Sequence, residues 1–389
     1  MRIALIHSGK KVGTGAWYIN DLIRKSLSAL GVSVREFYPR DNLLDAPVHL
    51  KGLKNIFFFQ SLLEKHRTIL KHCDLIQGTT YTPIALLPFS IPVVSHFGST
   101  TYGFLKAVPQ AKDPDEREVR EQWYALRKQG AITELNVKTR RPLRDVAEIE
   151  EYVAKRAEGV IATSQGVVEE LQEMGVKTEH IRLIHNAIED YWFLPNKHTG
   201  ETTPGVVFLG RLGGDVFTLK LKGFDRLAHI FLKLPSVPKM IVGMTDSKTL
   251  IPWMETHFKN TVLQLNTLKE QIPALLDAWS GSVLFISSRY EGFSLSLIEG
   301  MSRGLVPVTF AVGVAPEIIV NGKNGYIVHS TKEAQTVIKQ LLQDNALRTR
   351  LSQEARATAE VFTTKRMAQQ MKAFYTEIIA QDRSAKKKK

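Results

Sequence analysis

Gly205-Val-Val-Phe-Leu-Gly210, an apolar run closing on a glycine, repeats in mid-chain the pattern that opens the sequence, Ile3-Ala-Leu-Ile-His-Ser-Gly9. Each reads as a buried strand running into a turn. After the first copy, Gly9–Gly15 is a glycine-bearing loop, Ala16–Leu30 has helical spacing and Val32–Phe37 reads as a second strand. Further strand-like runs lie at Leu75–Gln77, Val93–His96 and Gly159–Thr163. After the second copy they recur at Met240–Val242, Ser282–Ile286 and Val306–Thr309. Strands that alternate with helical segments argue for an α/β protein with parallel sheets. The polar stretch Asn196–Pro204 separates the two copies and reads as a linker. The expectation is two similar Rossmann-like domains, 1–195 and 205–365, followed by a C-terminal helix and basic tail, 366–389. Two such halves facing each other would leave a cleft lined by the carboxyl ends of their strands, where open α/β sheets bind ligands.

Size and composition agree. A chain of 389 residues exceeds the roughly 250–300 over which one core keeps growing. Apolar residues are 43% and charged residues 23%, the balance of a globular protein rather than a disordered one. The one cysteine, Cys73, excludes a disulfide framework and a cysteine-rich metal site, and its apolar neighbours make it a small buried hydrophobe. The formal net charge is +13, and Lys386–Lys389 supply four of those charges. Such a surplus favours an anionic partner: a phosphorylated substrate, a membrane surface or nucleic acid. No apolar run is long enough for a spanning helix or a signal peptide, so the expected location is cytoplasmic, with peripheral contact at the inner membrane face.

The chemistry concentrates in the second half. Val283-Leu-Phe-Ile-Ser-Ser-Arg-Tyr-Glu-Gly292 reads as a strand entering a loop, and Ser294-Leu-Ser-Leu-Ile-Glu-Gly-Met-Ser-Arg303 as a helix with Ser294 as its N-cap. That helix start would offer free N–H groups and partial positive charge to a diphosphate. Glu291 and Glu299 flank it, and carboxylates are good acceptors for sugar hydroxyls. Taken alone, two glutamates at this spacing are better explained by a turn and a solvated helix face; it is the surrounding sequence that shifts the balance. Arg211, after the strand 205–210, and Lys222, in Lys220-Leu-Lys-Gly-Phe-Asp225, add two cations that could neutralise a diphosphate without a metal.

With these segments in view, the second half resembles the retaining glycosyltransferases of GT-B architecture, specifically glycosyltransferase family 4. The likeness rests on Phe208-Leu-Gly-Arg-Leu212, Lys222-Gly-Phe-Asp225, Ser287 to Met301, Gly304-Leu-Val-Pro-Val308, Pro316-Glu-Ile-Ile and Gly322-Lys-Asn-Gly-Tyr-Ile-Val328. The resemblance implies that Arg211 and Lys222 bind the donor diphosphate, that Glu291 contacts the transferred sugar and that Glu299 binds the ribose. It also implies that backbone amides at Phe293, Ser294 and Leu295 face the phosphate and sugar. Within these segments the spacing departs from the family: Asp215–Lys220 looks inserted, which makes Lys220 a rival for Lys222.

The first half is less explicit. Gly9-Lys-Lys-Val-Gly-Thr-Gly15 is not a Gly-x-Gly-x-x-Gly fingerprint, and a plain tight turn explains it equally well. By resemblance, Gly13, Thr14 and Gly15 are candidates for approaching donor phosphate and acceptor, and His96, at a strand's carboxyl end, for facing the sugar. Asn186-Ala187 stands where the family has Asn-Gly, and no site is assigned to it. Residues 100–150 look least like the family and include Lys138, Arg140, Arg141 and Arg144; an acceptor-recognition insertion and a solvated helical surface are both open.

The resemblance implies transfer of a sugar from a nucleoside-diphosphate sugar to a hydroxyl acceptor, lipid-linked acceptors included, in cell-envelope glycan or glycolipid synthesis. No metal or other cofactor is expected. Rival readings are a sugar phosphorylase-like enzyme on the same fold and a catalytically silent nucleotide-sugar-binding or nucleic-acid-binding protein, although no aromatic-basic nucleic-acid module is visible. The basic, phenylalanine-bearing stretch Leu50–Arg67 reads as a wide buried face of the first domain or as a contact with membrane or acceptor, and the lysine tail as a solubilising end or a membrane contact at about 1 kcal/mol per lysine; together they predict weak binding to anionic membrane.

Overall fold

A computed structural model of the chain describes residues 1–8, 15–38, 51–108, 117–136, 140–195, 204–245 and 247–387. Among them, twelve strands form two six-stranded parallel sheets, and the expected α/β class with two Rossmann-like domains holds. The first sheet comprises β1 (Arg2–Ile6), β2 (Ser33–Phe37), β3 (Leu75–Thr79), β4 (Val93–Phe97), β5 (Gly159–Ala162) and β6 (Ile181–Leu183), in the order β2-β1-β3-β4-β5-β6. The second comprises β7 (Val206–Arg211), β8 (Lys239–Met244), β9 (Thr261–Leu265), β10 (Val283–Ile286), β11 (Val306–Thr309) and β12 (Tyr326–Ile327), in the order β12-β11-β10-β7-β8-β9.

The sequence dictates these sheets through burial. Every residue of β4, β5, β10 and β11 is buried, as parallel strands covered on both faces require. Each large aliphatic or aromatic side chain so enclosed contributes roughly 1.5–3 kcal/mol. The strand order then sets where ligands go. In the second sheet the chain winds outward through β8 and β9 on one side of β7 and through β11 and β12 on the other side of β10. The chain thus leaves β7 and β10 toward opposite sides of the sheet, and open α/β sheets bind ligands at the strands' carboxyl ends beside such a reversal. In the first sheet the equivalent switch lies between β1 and β3.

The chain divides into two compact units whose limits differ from the expected domains. One holds Met1–Leu105, Arg140–Glu189 and Phe362–Lys389; the other holds Lys106–Thr139 and Asp190–Val361. Residues drawn from the family-poor stretch therefore belong to the second unit. The helix Arg117–Lys128 carries Trp123 and Leu126 three positions apart, and with Ala131 and Ile132 they enter the core formed by Phe208, Phe224, Leu227 and Trp253. The indole N–H of Trp253 donates to Gln129 Oε1 at 3.0 Å, and the Thr249 hydroxyl to the Ala131 carbonyl at 3.1 Å.

The final helix, Thr364–Lys387, is part of the first unit and not a separate appendage. Its Phe374 packs on Gly159 at the start of β5, where an added Cβ would fall 2.6 Å from the ring. Arg182 pairs with its Glu377 at 2.7 Å, and Lys372 donates to the Leu30 carbonyl at 2.8 Å. The expected lysine tail is helical through Lys387, and the Lys386 ammonium is bound by Asp382 and by the Ser90 carbonyl. Lys388, Lys389 and the linker residues 196–203 lie outside the described residues. In the Leu50–Arg67 stretch a helix, Lys51–His72, sets Phe59 half-buried against the first unit's core; the side chains of Phe57 and Phe58 are outside the description. Cys73 is buried, as expected, and burial pushes its thiol up to about 11. No described helix is long and apolar enough to cross a membrane.

Candidate functional site

The second unit's switch point gathers most of the predicted residues. Arg211 ends β7 and is exposed. Glu291 sits in the loop after β10, and Lys222 follows the short helix Val216–Leu221. The Lys222 ammonium lies 2.7 Å from Glu291 Oε1, and both side chains are half-buried. The Ser288 hydroxyl donates to the same oxygen at 2.6 Å.

A set of bonds zips the two loops together and fixes this pair. The Ser287 hydroxyl donates to the Lys222 carbonyl at 2.8 Å, and the Arg289 N–H to the Leu221 carbonyl at 2.8 Å. The Arg289 guanidinium forks onto both Asp225 oxygens at 2.7 and 2.8 Å, with both side chains buried, and also reaches the Lys220 carbonyl at 3.1 Å. Such a planar bidentate pair sets direction as well as energy. Only glycine fits at position 223: its φ is +61°, and a Cβ would lie 1.9 Å from the Ser287 carbonyl oxygen.

The apparent insertion places Lys220 and Lys222 differently. Asp215 caps the helix Val216–Leu221 by accepting from the Thr218 N–H at 3.0 Å. That helix turns Lys220 inward, where it is 2% exposed and donates to the Leu135 carbonyl at 2.8 Å, with the Trp123 ring 5.7 Å away. Burial, then the Arg289 charge, lowers the Lys220 ammonium below the usual lysine range. Lys222 alone of the two reaches Glu291.

The helix after the loop is Leu295–Ser302. Ser294 stands at its N-cap position but does not cap it. Its backbone is left-handed (φ +78°), whereas side-chain capping needs an extended residue, and the buried hydroxyl has no hydrogen-bond partner among the described residues. Phe293 is buried and its carbonyl accepts from the Val314 N–H at 2.9 Å; Leu295 is half-buried at the first helical position. Glu299, on the same helix, is 6% exposed rather than a solvated surface residue, and Lys269 approaches it at 3.2 Å. Lys269 was not singled out in the sequence: it lies thirty positions away, in a turn after β9, and no local pattern marks it.

In the first unit, His96 lies near the carboxyl end of β4. It is 3% exposed, and burial pushes the imidazole down to about 4, partly offset by the Asn186 side chain beside it. Gly13 and Thr14 fall outside the described residues, and Gly15 opens the first helix, Gly15–Ala29.

Two Rossmann-like sheets, one carrying an ammonium–carboxylate pair and a helix start at its switch point, define a GT-B protein. The family comparisons agree: residues 194–358 match glycosyl transferases group 1, and residues 23–190 match glycosyltransferase family 4. Neither match alone spans half of the chain; with the fold, the two support a GT-B glycosyltransferase. It is 24% identical over 247 residues to N-acetyl-alpha-D-glucosaminyl L-malate synthase of Bacillus anthracis, a match covering 60% of this chain and 63% of that protein. Among solved structures, sucrose-phosphate synthase from Thermosynechococcus elongatus is similar with a TM-score of 0.72 at 18% identity, covering 97% of this chain and 99% of that one. HepE of Anabaena, in complex with UDP and glucose, gives 0.66 at 18% identity, with 97% and 99% covered.

Proposed function

We propose that the protein is a retaining glycosyltransferase that moves a sugar from a nucleoside-diphosphate sugar to a hydroxyl acceptor. The observation that carries this reading is the Lys222–Glu291 pair, held at 2.7 Å at the sheet's switch point. Lys222 and the exposed Arg211 would take the diphosphate, Glu291 a hydroxyl of the sugar and Glu299 the ribose. Relatives whose names specify a glucosaminyl transfer and a UDP complex support the substrate class.

In the reaction the bond between the anomeric carbon and the diphosphate oxygen breaks, and its electron pair leaves with the diphosphate. The acceptor oxygen bonds to the same face, and its proton passes to a leaving-phosphate oxygen. Lys222, Arg211 and the N–H groups opening the helix Leu295–Ser302 would stabilise the negative charge as it develops, without a metal. Preorganised cations suit that task, because they need little reorientation when the bond breaks. A cell-envelope glycan or glycolipid, met by a peripheral enzyme at the inner membrane face, is the acceptor setting this reading favours.

Calorimetric titration with UDP, GDP and ADP, followed by hydrolysis assays of their sugars, tests it. Lys222→Met should weaken binding of the preferred diphosphate about 10- to 100-fold, since a hydrogen bond to a charged group contributes roughly 1.5–3 kcal/mol. Lys220→Met should lower the melting temperature but leave that affinity within about threefold, as its ammonium faces Leu135. Near-normal turnover in both Glu291→Ala and Arg211→Ala would refute the assignment. Dependence of turnover on inorganic phosphate would turn it toward a phosphorylase.

A further inference from the structure

An ion pair joins two segments of the second unit that different strands deliver. Lys269 opens the single helical turn Lys269–Gln271 after β9, and Glu299 lies in the helix Leu295–Ser302 after β10. The ammonium stands 3.2 Å from Glu299 Oε1, and the two side chains are only 12% and 9% exposed. A pair so withdrawn from water gains little stability, because desolvation offsets much of the attraction; it is better suited to fixing where a charge sits.

Both ends of the pair are mounted firmly. On the lysine side, the turn after β9 is clamped to the turn after β8. Asn266 has a left-handed backbone (φ +57°), which asparagine tolerates better than most residues. Its N–H donates to the Gly243 carbonyl at 2.8 Å. Its side chain meets the Thr245 main chain twice: Oδ1 accepts from the N–H at 3.3 Å, and Nδ2 donates to the carbonyl at 3.0 Å. The Thr245 hydroxyl donates in turn to the Gly213 carbonyl at 2.6 Å, so the loops after β7, β8 and β9 are tied in series. Just beyond Asn266, the Gln271 N–H closes the turn that carries Lys269 onto the Leu268 carbonyl at 3.0 Å. On the glutamate side, the helix lies directly on β10. An added Cβ at Gly300, next to Glu299, would fall 2.6 Å from the Leu284 side chain, which leaves the helix no room to move inward.

The second unit therefore pairs its two site glutamates with different lysines: Lys222 with Glu291 and Lys269 with Glu299. An ionised carboxylate recognises a hydroxyl by accepting its O–H, so the direction of its oxygens decides which hydroxyl it can reach. Lys269 offsets the charge of a carboxylate with little access to water, and its contact at Oε1 restricts the group's rotation.

We propose that Lys269 is a positioning residue for Glu299 and that it sets the preference of the site for ribose over deoxyribose nucleotides. The proposal rests on the glycosyltransferase reading, which assigns the donor's ribose to Glu299.

The test uses the full-length chain and four variants: Lys269→Met, Glu299→Gln, the two combined, and Asn266→Gly. The probe is whichever of UDP, GDP and ADP binds the wild type most tightly, titrated calorimetrically beside its two analogues that lack one or other ribose hydroxyl. Wild type should prefer the ribose form over the analogue lacking the bound hydroxyl about 10- to 100-fold, the contribution of a hydrogen bond to a charged group. Lys269→Met should cut that preference about tenfold, weakening the ribose form while the analogue's Kd stays within about threefold. In the Glu299→Gln background, Lys269→Met should leave the ratio unchanged, since the lysine then has no carboxylate to orient. Glycine at 266 keeps the left-handed turn but releases the clamp, so Asn266→Gly should lower the same ratio and decides the matter should Lys269→Met fail to fold.

An unchanged ratio in Lys269→Met, or equal weakening of ribose form and analogue, would overturn the proposal and leave Lys269 a structural residue. A ratio that falls further when Lys269→Met is added to Glu299→Gln would overturn it too, because the lysine would then act on the nucleotide directly. A wild type that binds a diphosphate but does not distinguish ribose from either analogue refutes the ribose assignment of Glu299, and the proposal with it, while the donor reading stands. If none of the three diphosphates binds, the glycosyltransferase reading itself fails.

Discussion

Two buried groups in the first unit should give its stability opposite pH dependences. The Glu150 carboxyl is held at about 7, against 4.5 for an ordinary glutamate, because burial outweighs its hydrogen bonds. The folded protein therefore binds this proton more tightly than the unfolded chain. Its contribution is fully present below 4.5 and is lost as pH rises through 7. The His96 imidazole is held at about 4, against 6.5, again by burial. Here the folded protein binds the proton less tightly, so the contribution is present above 6.5 and is lost as pH falls through 4. At about 1.4 kcal/mol for each tenfold change in proton affinity, each full effect comes to roughly 3–4 kcal/mol. The two windows overlap and the slopes nearly cancel in the wild type. Glu150→Gln should expose the histidine slope, with stability rising by about 3 kcal/mol from pH 4 to 6.5. His96→Gln should expose the carboxyl slope, with stability falling by a similar amount from pH 4.5 to 7. Native-state hydrogen exchange of the amides in β4 and β5, corrected for intrinsic exchange rates, isolates the first unit, which a global melt of a two-unit chain does not. Matching pH slopes in both variants and wild type would refute the assignment of either shift.

Two further outcomes concern the second unit. Gly223→Ala places a Cβ 1.9 Å from a backbone oxygen at a left-handed residue, so it should cost about 3 kcal/mol or more and weaken nucleoside-diphosphate binding at least tenfold; calorimetry and a thermal melt measure both. Trp123→Ala leaves a cavity in the second unit's core and should cost roughly 3–5 kcal/mol, read as lost hydrogen-exchange protection in the helix Phe224–Lys233, whereas an effect confined to residues 117–136 would show that this helix merely rests on the surface.

What could be read from the sequence follows the reach of the interactions. The wholly buried strands β4, β5, β10 and β11 stand out as apolar runs because burial on both faces leaves no polar alternation to confuse them. The edge strands β6 and β12 were missed: Ile181-Arg-Leu and Tyr326-Ile are short and only partly covered, so no run forms. Glu291 and Glu299 could be singled out as candidates because loop, helix and carboxylates are contiguous. Lys220 and Lys222 could not be separated locally, since both lie in one basic run; the group that separates them is the Leu135 carbonyl, 85 positions upstream. The same non-local packing moves residues 117–136 into the second unit, where composition alone showed a charged, unfamiliar stretch. Ser294 misled in the other direction. Serine before a helix is a good capping signal, but the signal presumes an extended backbone, and residue 294 is left-handed.

The Lys222–Glu291 contact also bears on how the proposed donor would bind. With Glu291 Oε1 occupied by both Lys222 and Ser288, each charged side chain is held in place and partly neutralised before any ligand arrives. A diphosphate entering this site brings negative charge that competes with Glu291 for the ammonium, so part of its attraction goes into breaking the existing pair. The loss exceeds the roughly 0–1 kcal/mol of a fully exposed pair, because these side chains are only 20% and 13% exposed. The gain is that Lys222 needs no large search to reach phosphate, and Glu291 is released with an oxygen free for a sugar hydroxyl. A nucleoside diphosphate without the sugar supplies the competing anion but no hydroxyl for the released carboxylate. On this reading, removing Glu291 should therefore weaken the nucleotide-sugar relative to the bare diphosphate, whereas removing Lys222 should weaken both.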